Sequence, residues 1–219
     1  LSSLPPLREV IRQHSLRAEK KLGQNFLLDL NLTDKIVRAA GDLSGCHVFE
    51  IGPGPGGLTR SLLKSNADKV TAIEFDPRAI QALQDLQEVA GARFELLQAD
   101  ALTIDLLSLS IPPRAIVANL PYNISTTLLI GWLECIYKDA DAFRSMTLMF
   151  QREVAERITA AHDSKSYGRL AVLSQWLCDV QIMFDVPASA FTPPPKVVSS
   201  IVKLTPKKSL KDKPDFKYV

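Results

Sequence analysis

The chain has 219 residues, 46% of them apolar and 23% charged, with 26 basic against 24 acidic side chains for a formal charge of +2. That composition supplies one large core and excludes a disordered chain, and no apolar run reaches the ~18 residues that a membrane-spanning helix needs. Three scattered cysteines (Cys46, Cys135, Cys178) and three separated histidines (His14, His47, His162) exclude a disulfide framework, argue against a bound metal and suit a reducing, cytoplasmic setting.

Residues 1–21 lack the apolar stretch of a secretory signal. They hold a basic cluster of Arg8, Arg12, Arg17, Lys20 and Lys21, in which Glu9 and Glu19 weaken an organellar transit reading without removing it. Between 29 and 40 the apolar positions Leu30, Leu32, Ile36 and Val37 predict a helix, with Asn31 or Thr33 as its cap. Short apolar runs then alternate with amphipathic stretches. Strands are expected at 46–51, 69–74, 93–98, 114–118 and 145–150, with helices at 58–64, 77–89 and 125–137 between them. Helices at 152–161 and 167–177 follow, then strands at 180–186 and 197–204 joined through the prolines at 193–195. The fold class is therefore α/β: a mostly parallel sheet of seven strands, helices on both faces, closed by an antiparallel pair. The cysteines, Trp132 and Trp176 fall at core positions. Residues 203–219 carry six lysines against Asp212 and Asp215, a net +4 that leaves −2 for the rest. A basic tail of this kind fits phosphate binding or simple solvation, and Arg152, Lys165 and Arg169 are equally open.

The densest motif is Glu50-Ile-Gly-Pro-Gly-Pro-Gly-Gly57, between the first strand and the next helix. Gly52, Gly54 and Gly57 complete a G-x-G-x-x-G pattern, which lets the backbone approach a nucleotide while the helix offers free amides. Glu74 closes the next strand, where a carboxylate can accept from ribose hydroxyls. Asp100 ends the third strand, placed to accept from an adenine amino group. A solvated acid at a strand end is the plain alternative for both. The glycines alone leave S-adenosylmethionine and NAD open.

Asn119-Leu-Pro-Tyr122 follows the fourth strand at the same sheet edge. The amine on a nucleobase is a poor nucleophile because its lone pair is conjugated into the ring. The Asn119 side-chain carbonyl, helped by the Leu120 carbonyl, can accept both amine protons and free that lone pair. Pro121 fixes the turn, and Tyr122 offers a face on which a flipped-out base stacks. An ordinary Asn-x-Pro turn is the bland reading; the acids upstream in the same order argue against it.

With these motifs in place, the chain resembles the ribosomal RNA adenine N6-dimethyltransferase family of the KsgA type. The likeness runs from about residue 20 to 204. It is carried by Lys21-Leu-Gly-Gln-Asn-Phe-Leu27, the glycine turn, Glu74, the Asp100 segment and Asn119-Leu-Pro-Tyr122. Phe150-Gln-Arg-Glu-Val-Ala155, Tyr167-Gly-Arg-Leu170 and Phe191-Thr-Pro-Pro-Pro-Lys196 complete it. It implies a class I methyltransferase fold that uses S-adenosylmethionine to dimethylate two adjacent adenosines near the 3′ end of small-subunit ribosomal RNA in an assembling 30S-type subunit. It also implies that Gln24, Asn25 and Leu27 cover the methionine part of the donor, that Gly52 and Gly54 lie beneath it, that Glu74 takes its ribose and that Asp100 takes its adenine. By the same resemblance Asn119, Leu120, Pro121 and Tyr122 are expected to form the catalytic tetrapeptide, and Phe191 to close over the target base opposite Tyr122. Read without the resemblance, Phe191 is a core aromatic.

The domain division expected is an N-terminal segment with the donor-covering loop (1–28), a methyltransferase domain (29–205) and a linker (206–219). The family's C-terminal helical domain is expected to be absent from this chain. No metal and no membrane are expected, and a monomer is the default. The alternatives are a large-subunit ribosomal RNA methyltransferase of the antibiotic-resistance type, a non-catalytic RNA- or DNA-binding assembly or transcription factor on the same fold, a DNA adenine methyltransferase, which usually has an acid where this chain has Asn119, and an NAD dehydrogenase.

Overall fold

The computed structural model describes residues 1, 3–16, 18, 24–208 and 216. Arg17, Lys20 and Lys21 of the basic cluster, and Lys211, Lys213 and Lys217 of the tail, lie outside the described residues, as does most of the expected linker.

In chain order, α1 (Leu7–Gln13), β1 (Phe26–Leu27) and α2 (Leu30–Ala40) precede the sheet. Then come β2 (His47–Ile51), α3 (Gly57–Lys64), β3 (Lys69–Glu74), α4 (Pro77–Ala82), α5 (Gln84–Ala90), β4 (Phe94–Gln98), β5 (Arg114–Asn119), α6 (Ser125–Lys138) and β6 (Ser145–Gln151). The chain closes with α7 (Arg152–Ile158), α8 (Arg169–Leu177), β7 (Cys178–Val186), β8 (Phe191–Thr192) and β9 (Ser199–Pro206). No helix among the described residues is long and apolar enough to cross a membrane.

Seven strands form one sheet in the order β4-β3-β2-β5-β6-β9-β7. The first five are parallel, and β9 runs antiparallel to both β6 and β7. The final pair is antiparallel, as expected, but the later strand β9 sits inside and β7 takes the edge. Central strands of a parallel sheet are covered twice and lose polar alternation. In β5, Ala115, Ile116, Val117 and Ala118 are all buried.

The two faces have separate cores. Phe49, Ile116, Leu129, Trp132 and Phe150 pack under α6 and α8, while Ile36, Val48, Leu62, Val70 and Val117 pack under α2 and α3. Side chains alternate along a strand. Glu50, Glu74 and Asn119 therefore share the parity of Val48, Ala72 and Val117 and emerge on the α2/α3 side of the carboxyl edge.

Three local differences from the sequence reading have physical causes. Asp29, not Asn31 or Thr33, caps α2, accepting from the Asn31 N–H at 2.9 Å. Thr33 is buried with its hydroxyl 2.8 Å from that of Ser61. The single helix expected at 77–89 is two helices, broken at Leu83 (φ −98°, ψ −2°), whose buried side chain lies against the glycine turn. A two-stranded sheet that the pattern did not predict joins β1 to β8, with Phe26 opposite Thr192 and Leu27 opposite Phe191.

Candidate active site

Strand β2 pairs with β3 on one side and β5 on the other, so the connections after β2 and β5 leave the sheet at its point of topological reversal. A cavity of about 220 Å³ opens there. Its floor is the turn after β2. Gly56 holds φ +88° at the start of α3, and a Cβ on it would sit 2.7 Å from Leu83 Cδ2. Gly57 is constrained differently: a Cβ would lie 2.5 Å from the Leu27 carbonyl oxygen, a backbone atom that cannot swing away. The third glycine of the motif thus admits the N-terminal segment rather than the helix. Gly57→Ala should push β1 off the turn and cost about 1–3 kcal/mol, read as a lowered denaturation midpoint; an unchanged midpoint would show that β1 yields freely.

Gly52, Gly54, Glu74 and Asp100 all line this cavity. Glu74 is held by backbone donors: Oε1 accepts from Phe75 and Asp76 N–H, each at 2.8 Å, and Oε2 from Gly54 N–H at 3.3 Å. Burial pushes its carboxyl up, and those amides pull it back toward the charged form. Asp100 is partly buried, its Oδ1 accepting from Leu102 N–H at 2.9 Å. Phe75 is 62% exposed at the rim.

Glu50 was quoted in the motif but given no role, and it is the most unusual group in the cavity. It is 1% exposed, and its Oε2 has no hydrogen-bond partner. Burial pushes its carboxyl up to about 8; the Thr59 hydroxyl pulls it down and the Glu74 charge adds to the rise. An acid two positions before the first glycine was the sequence signal that could have marked it.

Gln24, Asn25 and Leu27 also line the cavity. Gln24 Nε2 donates to Asp76 Oδ2 at 3.1 Å, and Asp76 also takes both Nε (3.0 Å) and Nη2 (2.6 Å) of Arg78. The Arg78 guanidinium holds the Asp76 carboxyl below its usual range, so Gln24 is tied to an ionised group.

Asn119, Leu120, Pro121 and Tyr122 bound the cavity next to Asn25. Asn119 Nδ2 donates to the Asn25 carbonyl at 3.2 Å. A carbonyl can only accept, so the amide nitrogen must face Asn25 and Oδ1 is the atom left to receive a proton. Tyr122 sits in a turn closed by the Ile124 N–H on the Pro121 carbonyl at 3.2 Å.

One predicted site residue is not brought to the cavity. Phe191 is 3% exposed, packed with Leu27 in the core beneath α2 and α3, and it does not line the cavity wall. Its place in β8 opposite Leu27 fixes it there. Among the described residues no group of three or more His, Cys, Asp or Glu is placed to hold a metal ion.

The family model for ribosomal RNA adenine dimethylase matches residues 15–219. Ribosomal RNA small subunit methyltransferase A from Ruegeria sp. (strain TM1040) is 57% identical over 206 residues, covering 94% of this chain and 73% of that protein. Among solved structures, a dimethyladenosine transferase from Plasmodium falciparum is similar with a TM-score of 0.71 at 36% identity, covering 82% of this chain and 62% of that one. The 23S rRNA methyltransferase ErmE gives a TM-score of 0.74 at 29% identity, covering 86% and 73%. The fold is thus that of a class I methyltransferase, and the chain belongs to the ribosomal RNA adenine dimethylase family.

Proposed function

We propose that the protein dimethylates the N6 amines of two adjacent adenosines near the 3′ end of small-subunit ribosomal RNA, with S-adenosylmethionine as donor, in the assembling subunit. It works in the cytoplasm as a monomer. The observation that carries this reading is the Asn119 amide, whose nitrogen is committed to the Asn25 carbonyl. A neutral acceptor is thereby presented at a cavity also lined by Tyr122.

The residues present suit the donor. Glu74, fixed by three amides, would accept from the ribose hydroxyls, Asp100 from the adenine amine, and Gln24, Asn25, Leu27, Gly52 and Gly54 would hold the methionine end. Glu50, buried without a partner for Oε2, is placed to receive a cationic ammonium. The donor supplies a methyl on a positively charged sulfur, a good leaving group, so the chain needs no strong general base. Asn119 Oδ1 and the Leu120 carbonyl would hold the amine protons so that the nitrogen lone pair faces the methyl, Tyr122 would stack the base, and the methylated nitrogen, now cationic and weakly basic, would release one proton to water.

Small-subunit RNA is preferred to large-subunit RNA because the Ruegeria small-subunit enzyme is 57% identical and ErmE 29%. The test offers methyl-labelled S-adenosylmethionine with unmethylated small subunits, unmethylated large-subunit RNA and duplex DNA. Label in dimethyladenosine of small-subunit RNA alone is expected. Label in large-subunit RNA would move the protein to the resistance-type activity, and donor binding without label in any substrate would make it a binding factor. A thermal shift with NAD but none with S-adenosylhomocysteine would overturn the donor assignment.

A further inference from the structure

We propose that Ser199, at the first position of β9, is a positioning residue that sets the ring of Tyr122 for base stacking; this rests on the reading of Tyr122 as the stacking platform. The Tyr122 phenol oxygen and the Ser199 hydroxyl are 2.6 Å apart.

The two ends of this contact are unequally held. Ser199 is 0% exposed and locked between two strands, opposite Gln151 of β6 and Val186 of β7. The residue before it is pinned as well, with the Arg152 N–H donating to the Val198 carbonyl at 2.9 Å. Tyr122 is partly buried and belongs to a turn. Its backbone carbonyl accepts from the Ser125 hydroxyl at 3.1 Å, which holds the backbone end of the residue and leaves the direction of the side chain to be set at its far end. The phenol is the second anchor. Held at its backbone and at its phenol, the side chain keeps one direction across the cavity, and the in-plane preference of the phenol O–H favours one ring orientation, so that ordering need not be supplied when a base arrives.

The reversed direction of β9 makes this possible. Strands that run with β6 end at the cavity edge; β9 begins there, so its first side chain reaches a turn that follows β5. The neighbouring Ser200 is an internal control. It is equally buried but donates to Asp185 Oδ1 at 2.6 Å, and strand alternation turns it to the other face.

Five variants test the proposal on unmethylated small subunits: Ser199→Ala, Ser200→Ala, Tyr122→Phe, Tyr122→Ala and the double variant Ser199→Ala/Tyr122→Phe. Ser199→Ala and Tyr122→Phe should each lower kcat/KM for the subunit about tenfold, the size of one hydrogen bond, with KM for the donor unchanged. The double variant should fall no further than either single one, because both remove the same contact. Ser200→Ala should stay within about twofold of the parent, whatever it does to the melting temperature. Equal losses for Ser199→Ala and Ser200→Ala, or multiplying losses in the double variant, would overturn the positioning role. Should Ser199→Ala not fold, full activity in Tyr122→Phe overturns it alone. A Tyr122→Ala protein that keeps its activity would overturn the platform reading itself. An inactive Tyr122→Ala beside intact Ser199→Ala and Tyr122→Phe would remove only Ser199.

Discussion

Asn119→Ala should lower the single-turnover methylation rate on unmethylated small subunits by about 10²–10³-fold, the loss that follows removal of one preorganised polar group at a reacting centre. The melting temperature should move little, since Asn119 is partly buried and, among the described residues, its side chain makes one hydrogen bond, from its amide nitrogen to the Asn25 carbonyl at 3.2 Å. Asn119→Asp separates the roles further. It keeps the shape but sets an oxygen against the Asn25 carbonyl oxygen, so repulsion should lift the covering segment and weaken S-adenosylhomocysteine binding as well as rate. Calorimetric titration of both variants with S-adenosylhomocysteine, beside the rate, distinguishes the two. An alanine variant within about threefold of the parent rate would remove Asn119 from the chemistry.

The second large effect lies at Glu50. Its carboxyl ionises near 4.5 in an unfolded chain and is pushed up to about 8 in the fold. Across that interval the folded chain holds a proton that the unfolded chain has released. Stability is therefore fully present below pH 4.5 and declines as the pH climbs toward 8. Glu50→Gln has no proton to lose and should escape the decline, melting on the order of 5 °C above the parent at pH 8 and level with it at pH 4. The same change should weaken donor binding on the order of tenfold, because a buried ammonium would lose its charged acceptor. In the parent, donor binding should release a proton, visible when the binding heat is compared in buffers of different ionisation enthalpy. Parallel melting curves for parent and variant from pH 4 to 8 would show that Glu50 is not held neutral.

How much of this was legible in the sequence depends on the range of the forces involved. The strands through Val48, Val70 and Ile116 were readable because a doubly covered parallel strand is apolar along its length. The break at Leu83 was not: no proline or glycine marks it, and its cause is packing against Gly56, 27 positions earlier. Nor were β1 and β8 readable, since two residues carry no period. Glu74, Asp100 and Asn119 could be found because each lies at, or within two residues of, the end of a strand that the pattern located. Ser199 escaped because its meaning depends on the direction of β9 and on a partner 77 positions away. Phe191 shows the opposite limit. Read from its own surroundings it is a core aromatic, and the structure buries it there; the place over the target base came only from the resemblance.

The reversal of β9 also gives the molecule two poles. The strand starts beside the cavity and ends at Pro206, opposite Cys178 at the far edge of the sheet. Lys207 is fastened at that edge, its ammonium 2.6 Å from the Gln175 carbonyl, and Phe216 lies 5.4 Å from the Tyr137 ring near the far end of α6. Among the described residues, the chain thus leaves β9 on the side of the sheet turned away from the chemistry. A protein immobilised through the exposed Lys208 would keep its cavity turned toward solution.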